Sequence, residues 1–542
     1  MAQTSPLTRI ARLVREEKSE ISSIYFYAIL SGLIQLSLPL GIQAIIGFVL
    51  GGAMSTSLII LITLVVAGVL FNGILQMNQM KIIERIQQKI FVRYSFAFTT
   101  HIPKLDLQKL DSFYLPELVN RFFDIPVLQK SLSKILLDFP LAVTQILLGL
   151  MLLSFYHPAF IFFGILLLSL LVLIFRITGN RGFLTSLEKS THKYRMAGWL
   201  EEMARVVKQF KFSAHNALHE KKADDKVVSY IQARKAHFSI LLLQYKVLIA
   251  FKVIITASML VVGCLLLLDQ QINIGQFVAA EIVIIIVITA VEKLIINLDS
   301  VYSVLTSVEK INKLLDKPLE KGGSFTATAS QAFGVQFNDV SFAYQDDRTI
   351  LQGVSFAARP GEKISITGVH GSGKSTILKL LTGAYAGFKG AILINGVPIG
   401  NYNLEDLRTQ IGIVLNQQDV FAGTLWENIT LGDGAIDTAH VSRLVQLTGL
   451  SSYIASLKEG FDTELDPTGK RLPKNVVMKI LLVRALAHKP KLLLLEEPWL
   501  GIDEETVRQI QHLLLEGTDA TVIVATNDQS FISQCDQIIS LS

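Results

Sequence analysis

The chain has 542 residues, 51% of them hydrophobic and only 18% charged, and its mean hydropathy of +0.46 is too apolar for an ordinary soluble protein. The formal charge of +5 invites a nucleic-acid reading, but the basic residues flank apolar runs instead of forming one patch, which excludes nucleic acid as a partner. The two cysteines, Cys264 and Cys535, show neither metal nor redox spacing, so both read as small buried hydrophobes.

The chain opens with a polar segment carrying Arg9, Arg12, Arg15 and Lys18, and the apolar run after it is too long for the core of a cleavable signal. Six stretches approach the roughly 20 apolar residues a membrane-crossing helix needs. They are Ile24–Leu50, Ser57–Met80, Ile135–Tyr156, Ala159–Ile174, Ser239–Leu268 and Gly275–Leu298. Pro39 falls inside the first and is tolerable where neighbouring helices satisfy the freed carbonyl. The turns Ser55–Thr56, His157–Pro158 and Asp269–Ile274 contain no lysine or arginine, whereas the N-terminus and segments 81–134, 177–238 and 299–324 are rich in both. The positive-inside rule therefore puts both chain ends in the cytoplasm.

Segments 81–134 and 178–237 are helical by pattern and mixed in charge, and read as helices continuing below the membrane. Of the ionisable residues in the spans, Lys246 can snorkel to the cytoplasmic interface. Lys252 falls at the depth of Glu292 in an antiparallel hairpin, so the two are expected to pair. Glu281 lies nearer the outer face and reads either as a pathway residue or as an interhelical hydrogen-bonding group.

Beyond the polar stretch Asp316–Ala332, short strands alternate with helices, the pattern of a parallel α/β domain. A buried-strand run, Lys363–Thr367, enters Gly368-Val369-His370-Gly371-Ser372-Gly373-Lys374-Ser375, and a helical run begins at Thr376. Strand, glycine-rich loop and helix in this order form a phosphate loop. Backbone N–H groups and the helix N-terminus would surround phosphate oxygens. Lys374 would reach the β- and γ-phosphates, and the Ser375 hydroxyl would ligate Mg²⁺ of a bound ATP·Mg²⁺.

Together with Leu492-Leu493-Leu494-Leu495-Glu496-Glu497-Pro498, this order of parts resembles an ABC exporter over essentially the whole chain. Phe113-Tyr114-Leu115-Pro116-Glu117-Leu118-Val119-Asn120-Arg121 resembles that family's aromatic, Gly-Glu-Leu and arginine pattern, with Pro116 in place of the glycine. Ser37–Leu40 and Gly275–Glu281 are most similar to the type I secretion branch, without its N-terminal peptidase-like domain. The resemblance implies an all-α six-helix transmembrane domain over 1–315, a linker over 316–332 and an α/β P-loop NTPase domain over 333–542. It further implies a multi-pass protein of the bacterial plasma (inner) membrane, in contact with lipid, whose nucleotide-binding domain is cytoplasmic. The partner it implies is a second ABC half-transporter, as homodimer or heterodimer. A periplasmic adaptor is left open, and the exported substrate is not legible.

Carried over residue by residue, the resemblance gives an uneven result. Tyr344 matches the aromatic that stacks on adenine, with strand packing as the alternative. Gly368, His370, Gly371, Ser372, Gly373, Lys374, Ser375 and Thr376 match the phosphate cradle. Glu497 matches the glutamate that polarises the attacking water. Asn416 stands where the family has a glutamine, beside Gln417 and Gln418, and Glu496 replaces an aspartate; with Ser375 these are the implied Mg²⁺ residues. Leu472-Pro473-Lys474-Asn475-Val476 stands at the signature loop, without its serine and glycines. Asn527 replaces the switch histidine and cannot carry a proton. Glu497, Lys374 and Asn527 are thus the catalytic candidates of an ATP-driven exporter. The alternatives are a hydrolysis-poor regulatory or gating subunit of a heterodimer, and a scaffold that has lost turnover.

Overall fold

Apolar runs of this length can satisfy their backbone in lipid only as helices, and the computed structural model places helices at all six. It describes residues 6–51, 56–110, 113–212, 217–327, 331–344, 349–416, 419–466 and 472–541. Ser55, Gln417 and Gln418 lie outside these residues. In chain order the first half contains α1 (Pro6–Glu16), α2 (Lys18–Gln35), α3 (Ser37–Leu50), α4 (Thr56–His101), α5 (Leu107–Leu110) and α6 (Leu115–Val119). There follow α7 (Asp124–Tyr156), α8 (Ala159–Arg205), α9 (Val207–Phe212), α10 (Leu218–Leu268), α11 (Ile274–Ile296) and α12 (Leu298–Leu315). Among the described residues, six helical segments are long and apolar enough to cross a membrane.

The run expected as one helix over Ile24–Leu50 is broken at Leu36 between α2 and α3. Pro39 has no N–H to give the Gln35 carbonyl, and Ser37 Oγ turns back to the Ile34 carbonyl at 2.5 Å. α8 and α10 have 47 and 51 residues, so they are about 70 and about 77 Å long, more than twice the hydrocarbon thickness. Their excess length forms the helical extension read from segment 178–237, while segment 81–134 falls on the lower part of α4, on α5 and α6 and on the start of α7. One close approach in the α8 extension depends on glycine. A Cβ at Gly182 of α8 would lie 2.3 Å from the Tyr302 ring of α12, and the Tyr302 hydroxyl accepts from Gln244 Nε2 of α10 at 2.9 Å.

Lys252 of α10 and Glu292 of α11 form the expected ion pair. Glu281 Oε2 is buried and makes no hydrogen bond among the described residues. Cys264 departs from expectation: it is exposed on α10, because a lipid-facing helix surface takes the same apolar residues as a core and composition does not separate the two.

The chain divides into two compact units, Met1–Pro103 with Tyr114–Lys317, and Lys104–Phe113 with Pro318–Ser542. The short piece Lys104–Phe113 therefore belongs with the second half of the sequence. Within that unit Leu105 bridges to Leu319, and Gln108 Oε1 accepts the Gly387 N–H at 3.0 Å.

The second unit is built on a five-stranded parallel sheet. Its spatial order is Gln537–Leu541, Lys363–Gly368, Thr521–Ala525, Leu492–Glu496 and Ile411–Val414. Leu492, Leu493, Leu494 and Leu495 are all fully buried, as a strand covered on both faces requires. A four-stranded antiparallel sheet orders Thr349–Ala358, Val335–Ala343, Lys389–Ile394 and Val397–Pro398. At the base of the parallel sheet Lys363 Nζ donates to the carbonyls of Thr518 and Ala520 at 2.8 and 2.7 Å, and burial pulls its ammonium below the usual lysine range.

Candidate functional site

Ligands of open parallel sheets bind beyond the carboxyl ends of the strands. Four adjacent strands here end in the four segments singled out by sequence. Ile411–Val414 runs toward Asn416, Leu492–Glu496 ends at Glu496 and Glu497, Thr521–Ala525 leads into Thr526 and Asn527, and Lys363–Gly368 enters the glycine-rich loop. One sheet edge therefore gathers residues more than a hundred positions apart in the chain.

The helix after the loop, α13 (Lys374–Leu381), starts two residues before Thr376. Gly373 precedes it in the left-handed region with φ 94°, and a Cβ there would lie 2.5 Å from Leu351 Cδ2. Gly368 is equally constrained, since its Cβ would meet the Leu541 carbonyl and Ser372 Oγ at 2.6 Å. Lys374 Nζ closes the loop by donating to the carbonyls of Gly368 and Val369, at 2.6 and 3.0 Å. Ser372 Oγ is buried without a hydrogen-bond partner among the described residues. An orphan hydroxyl among positive-φ glycines at a helix N-terminus fits a phosphate-bearing ligand. Gly371, with φ 87°, has open space around its Cα, and the His370 side chain is exposed at the loop tip.

Tyr344 meets the first turn of α13, its hydroxyl 3.3 Å from Thr376 Oγ1. Its ring packs edge-on against Phe342 and Tyr385, with centroids 5.0 and 5.6 Å away. It therefore has a packing role beside the phosphate loop whatever else the ring does.

The extra methylene of Glu496 carries its carboxylate onto the residues around it. Oε1 accepts from the Ser375 hydroxyl, and Oε2 accepts from the Asn416 N–H at 3.1 Å. Ser375, Glu496 and Asn416 thus converge as the sequence suggests, but Asn416 does so through a backbone N–H, which is a donor and not a metal ligand.

Glu497 has φ 43°, a left-handed conformation uncommon for a non-glycine residue. Its N–H is held by the Ala525 carbonyl at 3.0 Å, and its Oε2 accepts from Thr526 Oγ1 at 3.0 Å. Thr526, fully buried, escaped the sequence reading; its only signal there is a hydroxyl immediately before Asn527. Asn527 grips Gly368 through both backbone groups, Gly368 N–H to Oδ1 and Nδ2–H to the Gly368 carbonyl, each at 3.4 Å.

The segment Leu472–Val476 forms the entry to the helix Lys474–Ala487. Pro473 is its cap residue, with no side-chain capping bond, and Asn475 Oδ1 accepts the next N–H, that of Val476, at 2.9 Å.

Two family models match this sequence. The ABC transporter transmembrane region matches residues 22–291, and the ABC transporter model matches residues 351–500. The chain is similar to an ATP-dependent lipid A-core flippase of Burkholderia orbicola (strain AU 1054), 30% identical over 304 residues that cover 55% of this chain and 50% of that protein. It is also similar to a probable multidrug resistance ABC transporter ATP-binding/permease protein, YheH, of Bacillus subtilis (strain 168). That match is 34% identical over 238 residues, covering 43% of this chain and 35% of the other. The matched part of the chain spans about half the length, or less, of these curated relatives. A solved bacterial Atm1-family ABC exporter with ATP bound shares the fold, with a TM-score of 0.82 at 20% identity, covering 97% of this chain and 94% of that one.

Proposed function

The chain belongs to the ABC transporter family, and from that premise we propose that it is an exporter half-transporter that pairs with a second such half and uses ATP to move a substrate outward. It is a multi-pass protein of the inner membrane, with its nucleotide-binding domain on the cytoplasmic side. The observation that carries the proposal is the gathering of Lys374, Ser375, Glu496, Glu497 and Asn527 on one edge of the parallel sheet.

In this reading the loop Gly368–Ser375 with Thr376 holds the phosphates of ATP, while Tyr344 borders the base side. Ser375 and Glu496 hold Mg²⁺, which neutralises charge developing on the phosphates when bound. Glu497 orients and partly deprotonates the attacking water, and Thr526 holds its carboxylate in place. Asn527 hydrogen-bonds at the phosphate loop without carrying a proton. Closure of two nucleotide domains would then drive alternate access through the long cytoplasmic helices. The relatives named as a lipid A-core flippase and a multidrug transporter favour an amphipathic or apolar cargo.

The test is ATP turnover by the purified full chain in lipid. Glu497→Gln should lower the rate about a hundredfold or more while ATP still binds, and Lys374→Ala should remove binding. Tight ATP binding with no turnover by the wild-type chain alone would sink the homodimeric pump and leave the heterodimer, which a native mass measurement identifies.

A further inference from the structure

In the membrane-spanning half of the chain, α6 and the cytoplasmic ends of α8 and α10 border an open cavity of about 470 Å³. Arg195, Trp199, Glu202 and Arg205 line it from α8, and Lys222 and Lys226 from α10. The α8 residues fall at helical spacings that share one face, and the two lysines are one turn apart. None of the four cations makes a hydrogen bond or ion pair among the described residues. Glu117, also on the wall, is already committed to Arg121 at 2.7 Å. Four cations therefore face one uncommitted carboxylate, Glu202, and those on α8 repel those on α10.

The second observation is independent of charge. Trp199 is only 5% exposed, and its indole Nε1 is buried without a hydrogen-bond partner among the described residues. An indole N–H can only donate, so this cavity wall carries an unmet demand for an acceptor. The ring is not free for a planar base, because Lys222 and Lys226 cover it, with Nζ 4.8 and 5.6 Å from its centroid, and Phe210 packs edge-on at 6.0 Å. What the cavity lacks is a compact acceptor of several negative charges.

We propose that this cavity is a binding site for a small, soluble, multivalent phosphate-type anion, which ties α8 to α10 on either side of α9. Its depth rules out a lipid headgroup. Trp199 lies 23 residues beyond Arg176, the first charge after the fourth span, and along the unbroken helix α8 that is about 35 Å below the membrane. The cavity's size suits a small solute. The proposal does not depend on the transport reading.

The probe is inorganic pyrophosphate, titrated calorimetrically into the full chain carrying Lys374→Ala, so that the phosphate loop does not contribute. The expected result is one saturable site per chain whose affinity falls steeply with added salt. Trp199→Phe, which keeps the ring and deletes the N–H, should weaken binding about tenfold. Lys222→Gln/Lys226→Gln, at an exposed and a half-buried position, should abolish it, with the thermal unfolding midpoint read alongside to show that the fold is kept. Absence of saturable binding, or equal affinity in both variants, overturns the proposal. So does a loss of dimer mass in the double-lysine variant without pyrophosphate binding, which would give the cavity to a second copy of the chain.

Discussion

Thr526 Oγ1 donates to Glu497 Oε2 at 3.0 Å, and both residues follow directly on neighbouring parallel strands. Glu497 sits at φ 43°, so its carboxylate direction rests on a strained backbone and on this one hydroxyl. Thr526→Val keeps the volume and removes the hydrogen bond. It should lower kcat for ATP about tenfold with KM nearly unchanged, and Thr526→Ser should restore most of the rate. A rise in KM with kcat intact would mean that the hydroxyl supports nucleotide binding instead.

Glu496 rests directly on the Ser375 hydroxyl and the Asn416 N–H, in the space between residues expected to hold Mg²⁺. An aspartate is about 1.5 Å shorter and would withdraw from both. Glu496→Asp should therefore lower the Mg²⁺ concentration giving half-maximal ATPase several-fold. An unchanged requirement would show that the longer carboxylate already swings aside when the ion binds.

Asn527 holds Gly368 from its N–H and its carbonyl, so its amide supports the shape of the phosphate loop and contributes no titration. A histidine placed there ionises near pH 6.5. Asn527→His should add to the ATPase rate a pH dependence between about pH 6 and 8, read as the difference from wild type in steady-state rates at fixed ionic strength. A pH profile identical to wild type would show that this position does not reach the reacting phosphate.

What could be read from the sequence was whatever leaves a local or periodic trace. Apolar length marked six spans, the glycine spacing marked the phosphate loop, and matched depth in a hairpin paired Lys252 with Glu292. What escaped depends on contacts between distant segments. Nothing near Gln108 announces its bond to Gly387 across 279 positions, and nothing beside Glu497 points to Thr526. Asn416 meets Glu496 through a backbone N–H, a contact that side-chain identity does not encode. The break at Leu36 was within reach, because Pro39 three residues on leaves the Gln35 carbonyl without its helical donor.

The Lys252–Glu292 pair tests the membrane half without any nucleotide. Both side chains are partly shielded, at 33% and 28% exposure, and lipid surrounds the helices that carry them. Lys252→Met leaves Glu292 charged and unpaired between α10 and α11, which should cost about 2 kcal/mol of stability, below the full buried-pair value because the site is not closed. Neutralising both, as Lys252→Met/Glu292→Gln, should recover most of the loss, since no lone charge remains. Thermal unfolding of the four members of this cycle gives the coupling directly. Additivity of the two single losses would show that the ions are held separately and that the pair does not join α10 to α11.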